Sequence, residues 1–350
     1  MKRQLAALLL TIFALSLTAC GETAAESETR TVYAMDTVMN LTVYGENAAA
    51  ALESAEKELH TLDEAVLSRT AEGSELYALN TSNGETVEYG ADDILPALIE
   101  TALTISDATD GAFDPTLAPV LDAWGFTKDE RRVPSADELK ELLSHTGCGK
   151  VALEKTADGW TVTLLDGAQL DLGGIAKGYA SDRVAAIFAR HGITSGTISL
   201  GGNVYVCGSK PNGQPWVVAI QDPRSDGYAV TVALTDSFAV TSGGYQRYFE
   251  ENGQLYHHII DPATGRPAES GLTSVTVVAD GAAGNGTMCD ALSTALFVMG
   301  EDRALELWRS GVYDFDLILV TEDGRLLATA GIADRFRPDD SAGYAYEIVS

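Results

Sequence analysis

Apolar positions along the chain change their period several times, and each change marks an element. Residues 37–44 alternate between apolar and polar, which predicts a strand with one buried face. Ala51, Leu52, Ala55, Leu59 and Leu62 then recur at three- and four-residue steps, which predicts an amphipathic helix over 48–62. Ile94, Leu95, Leu98, Ile99, Ala102 and Leu103 repeat that spacing and predict a second helix over 92–109. Ser135 with Glu138 forms a capping box that opens a short helix through Leu143. Residues 151–153 and 160–165 read as a hairpin around Asp158-Gly159. A helix over 175–190 precedes a crowd of strands at 195–206, 216–221, 229–234 and 237–241. Tyr248 to Ile260 predicts a hairpin turning at Asn252-Gly253, followed by a strand at 274–278. Helices at 287–299 and 302–309 lead to a last hairpin, 317–320 with 326–328, joined at Asp323-Gly324.

Helices gather in the first third and strands in the middle. That is an α+β pattern rather than a regular βαβ alternation, and it predicts mixed or antiparallel sheets with flanking helices. No repeat and no low-complexity linker follows residue 30, so one compact domain over 31–350 is expected.

The N-terminus has a different character. Lys2 and Arg3 precede an apolar run from Leu5 to Leu17, too short to span a bilayer comfortably. Leu17-Thr18-Ala19-Cys20-Gly21 follows, with small residues before a cysteine, as in a bacterial lipobox. Residues 1–20 are expected to be a lipoprotein signal ending at a lipidated Cys20, and the small polar residues 21–30 a flexible tether. The expected location is the extracytoplasmic face of the cell membrane.

Composition narrows the function. The 350 residues carry a formal net charge of −28, with no Lys/Arg run beyond the first three residues, so no nucleic-acid partner is expected. In this background a bound dinucleotide would need a metal ion or helix N-termini to offset its phosphates. Without Cys20, the odd set Cys148, Cys207 and Cys289 makes no disulfide framework, and no spacing suggests zinc.

Four segments combine residue types that a plain core would not. Gly111 to Thr116 holds an Asp-Pro turn at Asp114, which Pro115 pushes out of the helical region. Leu170 to Tyr179 runs from a strand through Gly173-Gly174 into a helix, with Lys177 beside the free N–H groups of its first turn. It serves equally as a tight turn or an anion cradle. Tyr256 to Gly265 carries His257 and His258, which point to opposite sides of a strand, one toward a site and the other toward solvent. Asp290 and Thr294 lie four apart on one helix face, where they can reach one hard cation or simply cap and back-bond their own helix.

Taken in order, these segments resemble the ApbE family of FAD:protein FMN transferases over roughly residues 33–330. Met35-Asp36-Thr37, Ser74-Glu75-Leu76 with Asn80, Trp124-Gly125-Phe126, Gly201-Gly202-Asn203 and Thr241-Ser242-Gly243 complete the match. The resemblance implies a T-fold-related domain that takes FAD and Mg2+, moves FMN onto a Thr or Ser hydroxyl of another protein, and releases AMP. It assigns the metal to Asp290, Thr294 and a backbone carbonyl at Gly174 or Ala176, with Ser293 close by. It assigns FAD contacts to Met35, Ala112, Phe113, Asp114, Asp171, Lys177 and Ile260. His258 is the candidate base for the acceptor hydroxyl, with Asp261 as rival or as the group that orients it. Implied partners are FMN-binding subunits of membrane redox complexes, reached from the membrane through the lipid anchor.

The sequence departs from the family pattern at several positions. Asp36 stands for a Gly, Thr70 for a ring-stacking aromatic, Asn203 and Gly244 each for an Asp, and Cys289 for an Ala. Oxidation of Cys289 is expected to weaken metal binding. Two other functions would use the same pocket: a Mg2+-dependent FAD pyrophosphatase, and a flavin-binding lipoprotein without turnover.

Overall fold

The computed structural model describes residues 26–126 and 130–350. Cys20, the signal segment and residues 21–25 of the expected tether lie outside them. One nine-stranded sheet organises the fold, in the order 27–34, 37–44, 195–200, 203–208, 237–243, 272–280, 316–321, 325–329, 345–349. All neighbours are antiparallel except the last pair, which is parallel.

The first strand, Ser27–Ala34, corrects the expected tether, since residues 27–30 already pair with Tyr44 to Leu41. Its polar, mostly exposed first half hides it from a reading of apolar periodicity. The turn into Thr37–Tyr44 has two residues, Met35 (φ 51°) and Asp36 (φ 55°), both left-handed. A hairpin this tight with both central residues at positive φ matches the sheet twist, and it explains why glycine would suit position 36.

Helices Ala48–Thr61, Ala176–Arg190 and Asn285–Ser310 cover one face of the sheet and bury the main core. A three-stranded sheet (336–338, 228–234, 216–221) covers the other face, where Val218, Val230 and Val232 pack on Val278, Ile318 and Val320. The expected strand 195–206 is in fact two, because Gly201 and Gly202, both at positive φ, fold it into a hairpin. The long helix Asn285–Ser310 is broken at Gly300 (φ 77°, ψ 175°), as the two expected helices require.

The Ser135 cap appears as expected, its hydroxyl accepting from Glu138 N at 3.2 Å. The hairpin 151–155 with 159–164 also forms, joined by an unexpected third strand, 87–90. Two short helices, Glu75–Asn80 and Ala118–Trp124, were too short to show a period. The second carries one wall of an aromatic cluster. Trp124 stacks on Phe126 and contacts Phe249 and Tyr256 of the hairpin 248–257, and its Nε1 donates to Gly265 O at 2.8 Å.

Candidate active site

A cavity of about 580 Å3 opens where this aromatic wall meets the central strands 203–208 and 237–243 of the large sheet. That is the size of a small-molecule site. Into it the fold brings Ala112, Phe113, Asp114, Asp171, Gly174, Lys177, His258, Ile260, Asp290 and Thr294 from separate parts of the chain.

Two helices set its polar end. Helix 176–190 crosses helix 285–310 at glycines: a Cβ on Gly178 would meet Gly286 O and stand 2.6 Å from Asp290 Cβ. This approach lets the Gly178 N–H donate to Asp290 Oδ2 at 2.8 Å. Asp182, one turn further along, accepts from Gly284, Gly286 and Thr287 N at 2.8–3.2 Å and so fixes the start of the Asp290 helix. Asp290 is almost fully buried. Burial raises its carboxyl pKa, while Lys177, the Gly178 N–H and the Asn203 amide pull in the opposite direction.

Thr294 sits one turn on, and a Cβ on Gly174 would lie 3.7 Å from its Oγ1 and 3.0 Å from Phe113 Cε2. The Gly173-Gly174 loop therefore lies directly against Thr294, with no room for a side chain. Asp171 shapes that loop: its Oδ1 accepts from Gly173 N at 2.7 Å, and its own N–H donates to Pro115 O at 2.7 Å. Lys177 reaches back to Gly173 O at 3.3 Å. Asp114 Oδ1 accepts from Thr116 N and Oγ1 at 2.8 and 2.6 Å, so it both closes its turn and lines the cavity.

His258 Nδ1 donates to Arg247 O at 3.2 Å, since a carbonyl can only accept, and Nε2 is left with its lone pair. Burial, then Arg247 and Lys177, push its pKa down to about 3, so the ring is neutral at pH 7. His257 does not face solvent as expected. Its Nε2 donates to Ala268 O, its Nδ1 accepts from Ile259 N, and its ring packs edge-on against Phe297.

Four expected site residues are not on the cavity wall. Met35 packs against the main core, and its neighbours Asp36 and Thr37 line the cavity instead, because the hairpin turn rotates the side chains. The Ala176 side chain is buried in the core. Ser293 is buried behind Thr294, donating to Asp290 O at 2.8 Å and bonded to Ser242 Oγ at 2.7 Å. Asp261 is a turn residue: its two oxygens accept from Ala263 N (2.9 Å) and Thr264 Oγ1 (3.1 Å). This corrects its expected role as base or orienting group, because the carbonyl of Arg247 orients His258.

Cys289 is fully buried and its thiol pKa is pushed well up, so it stays protonated and out of reach of oxidants. The expected effect of its oxidation on metal binding therefore has no exposed thiolate to act through. Gly244 also has a local reason: a Cβ there would stand 3.0 Å from the His257 ring.

Residues missed in the sequence include Arg69 and Arg247, while Ser242 was noted only as part of a matching stretch. Arg69 Nε pairs with Asp171 Oδ2 at 2.7 Å, and both its terminal nitrogens reach Asp122 Oδ1 at 3.1 Å. Arg247 donates to Asp36 O at 3.2 Å and so joins two hairpins at the cavity mouth. An isolated arginine in a polar loop carries no sequence signal of this kind.

The fold and the cavity define an enzyme: an α+β domain with a buried acid, a hydroxyl and a glycine loop converging on one pocket. The sequence profile of the ApbE family matches residues 35–319, and the chain belongs to that family. It is 36% identical to the FAD:protein FMN transferase of Treponema pallidum, covering 92% of each chain. Against the Haemophilus influenzae FAD:protein FMN transferase the identity is 30%, covering 93% of this chain and 95% of the relative. The crystal structure of the ApbE protein from Thermotoga maritima superposes with a TM-score of 0.81 at 35% identity, covering 89% of this chain and all of that one. The apo Pseudomonas stutzeri flavinyl transferase ApbE gives 0.76 at 29%, covering 89% and 97%.

Proposed function

We propose that this enzyme transfers the FMN half of FAD to a Thr or Ser hydroxyl of a target protein, releasing AMP, with Mg2+ as cofactor. The observation that carries the reading is the meeting of Asp290, Thr294 and the Gly173-Gly174 loop at one end of a dinucleotide-sized cavity. This donor set is all oxygen with a single carboxylate. No cluster of three or more His, Cys, Asp or Glu suited to a metal occurs among the described residues. One carboxylate plus substrate phosphates is how Mg2+ is commonly held, whereas zinc would ask for nitrogen or sulfur. Asp290, Thr294 and a carbonyl of the Gly174–Ala176 loop would hold the ion, which supplies Lewis-acid neutralisation of the pyrophosphate charge.

The chain's own groups do the rest. Lys177 would add a positive charge near the leaving phosphate, whereas first-turn N–H groups of helix 176–190 are already taken, Ala176 N by Leu172 O and Gly178 N by Asp290. The acceptor hydroxyl oxygen forms a bond to the FMN phosphorus as the bond from that phosphorus to the AMP oxygen breaks. His258 Nε2, held by the Arg247 carbonyl, takes the hydroxyl proton. Its low pKa makes it a weak base in the empty pocket, and the pyrophosphate charge would raise that pKa on binding. Phe113, Ile260 and the apolar wall around Leu117 would enclose the rings of FAD.

The reading extends to location and partners. The Leu17–Cys20 pattern supports a lipid anchor at the outer face of the cell membrane, with FMN-binding subunits of membrane redox complexes as acceptors. The test is to incubate the full-length protein in detergent with FAD, Mg2+ and such a subunit, and to read the acceptor's mass. A gain of one FMN phosphoester, abolished in Asp290→Asn, is expected. Release of FMN and AMP with the acceptor unchanged would replace the reading with an FAD pyrophosphatase, and intact FAD would replace it with a binding protein.

A further inference from the structure

Asn203 carries an inference that rests on this reading of the metal site and deepens it. It opens the strand Asn203–Gly208 directly after the Gly201-Gly202 turn, is fully buried, and lies on the cavity wall. Its Oδ1 accepts from Ser181 Oγ at 3.1 Å. Ser181 lies three residues after Gly178 on the same helix, so the two point along one face. Gly178 N–H is the group that holds Asp290 Oδ2. Asn203 is thus fixed beside the Asp290 carboxylate. Its Nδ2 is enclosed and completes no hydrogen bond within 3.5 Å among the described residues, yet the amide lies near enough to the Asp290 carboxylate to pull that group's pKa down.

A buried amide donor without a completed hydrogen bond is costly, and native proteins seldom carry one without a use. With Oδ1 committed to Ser181, the orientation of the amide is set and Nδ2 must point away from that hydroxyl. The buried carboxylate next to it accepts the Gly178 N–H on one oxygen and needs its other oxygen aimed at the cation. An amide donor can fix that aim without adding charge.

We propose that Asn203 is the positioning residue of the metal site: its Nδ2 donates to the Asp290 carboxylate as the cation binds and turns the free oxygen toward it. An aspartate at this position could not donate. It would set two carboxylates side by side, so the Asn makes the site a single-carboxylate one.

The test measures Mg2+ affinity apart from turnover. The thermal midpoint of the full-length, FAD-loaded protein is followed as Mg2+ is added, for wild type and for Asn203→Leu, which keeps the bulk and removes the donor. The Mg2+ concentration giving half the shift should rise roughly ten- to a hundredfold, as for other groups that orient metal ligands. The transfer rate at saturating Mg2+ should change much less, and the FAD affinity measured in EDTA should hold. Ser181→Ala, a milder change that loosens the amide, should move the Mg2+ midpoint in the same direction, and it serves if the Leu variant fails to fold. An unchanged Mg2+ midpoint overturns the inference, whether the variant merely melts lower without metal or binds FAD more weakly in EDTA, since the amide would then be structural or face the nucleotide. If wild type itself shows neither a Mg2+-dependent shift nor transfer, the functional reading fails instead.

Discussion

The helix crossing at Gly178 supports the sharpest prediction. In Gly178→Ala the new methyl would stand 2.6 Å from Asp290 Cβ and 2.8 Å from Gly286 C, as well as against Gly286 O. Carbon atoms in contact prefer about 3.5–4.0 Å, so the helices must part by roughly 1 Å at the crossing. Overpacking of this kind costs about 1–3 kcal/mol. Parting also stretches the 2.8 Å bond from Gly178 N to Asp290, a hydrogen bond to a charged group worth about 1.5–3 kcal/mol. If the bond is lost outright, the expected loss of stability is about 2.5–6 kcal/mol, read from denaturant unfolding in EDTA. Displacing the carboxylate proposed to hold Mg2+ by roughly 1 Å should also cost about a hundredfold in transfer rate where the protein remains folded. Gly73→Ala is the control, because a Cβ there meets nothing within 4 Å and the residue does not have a left-handed φ. If Gly178→Ala unfolds like wild type and transfers FMN at the wild-type rate, the close approach of the helices is not what holds Asp290.

Other residues give further tests. His258 has a folded-state pKa pushed down to about 3, below the ordinary 6.5, so the folded protein binds fewer protons there than the unfolded chain. Its stabilising contribution is whole above pH 6.5 and is lost as pH falls from there toward 3; stability of His258→Asn should fall less steeply over that window in unfolding titrations, with His257 leaving a smaller residual slope. The same variant should lower transfer by about 10²–10⁴-fold if His258 is the base. Asp261→Asn, by contrast, should keep transfer near wild type and lose about 1 kcal/mol of stability from the turn, since among the described residues only turn donors meet its carboxylate. Mild peroxide should leave the proposed Mg2+ dependence of transfer unchanged, because Cys289 is shut away and protonated; sensitivity lost in Cys289→Ala would refute this.

Much of this protein was legible in one dimension. Helical spacing marked the helices 48–61, 94–108 and 176–190, and the Ser135 cap and the Asn252-Gly253 turn stood where local chemistry demands them. Such features depend on neighbours three or four residues away, so a single sequence carries them. The stretches around Gly174, Asp290 and Thr294 each left a plain structural alternative open, and only their order along the chain, through the resemblance to the ApbE family, joined them into one expected site. Tertiary structure decided the rest. The strand Ser27–Ala34 exists because Thr37–Tyr44 offers it a full register, and Ala345–Val349 because Arg325–Thr329 does; neither has a strong pattern of its own. Asp261 was taken into a turn and Arg247 onto the cavity wall by contacts that no spacing predicts. The environment of Asp290 is assembled from Gly178 and Asn203, which lie 112 and 87 residues away in sequence. Local order is written in short-range periodicity, whereas a site is a meeting of distant segments and is fixed only when the chain packs.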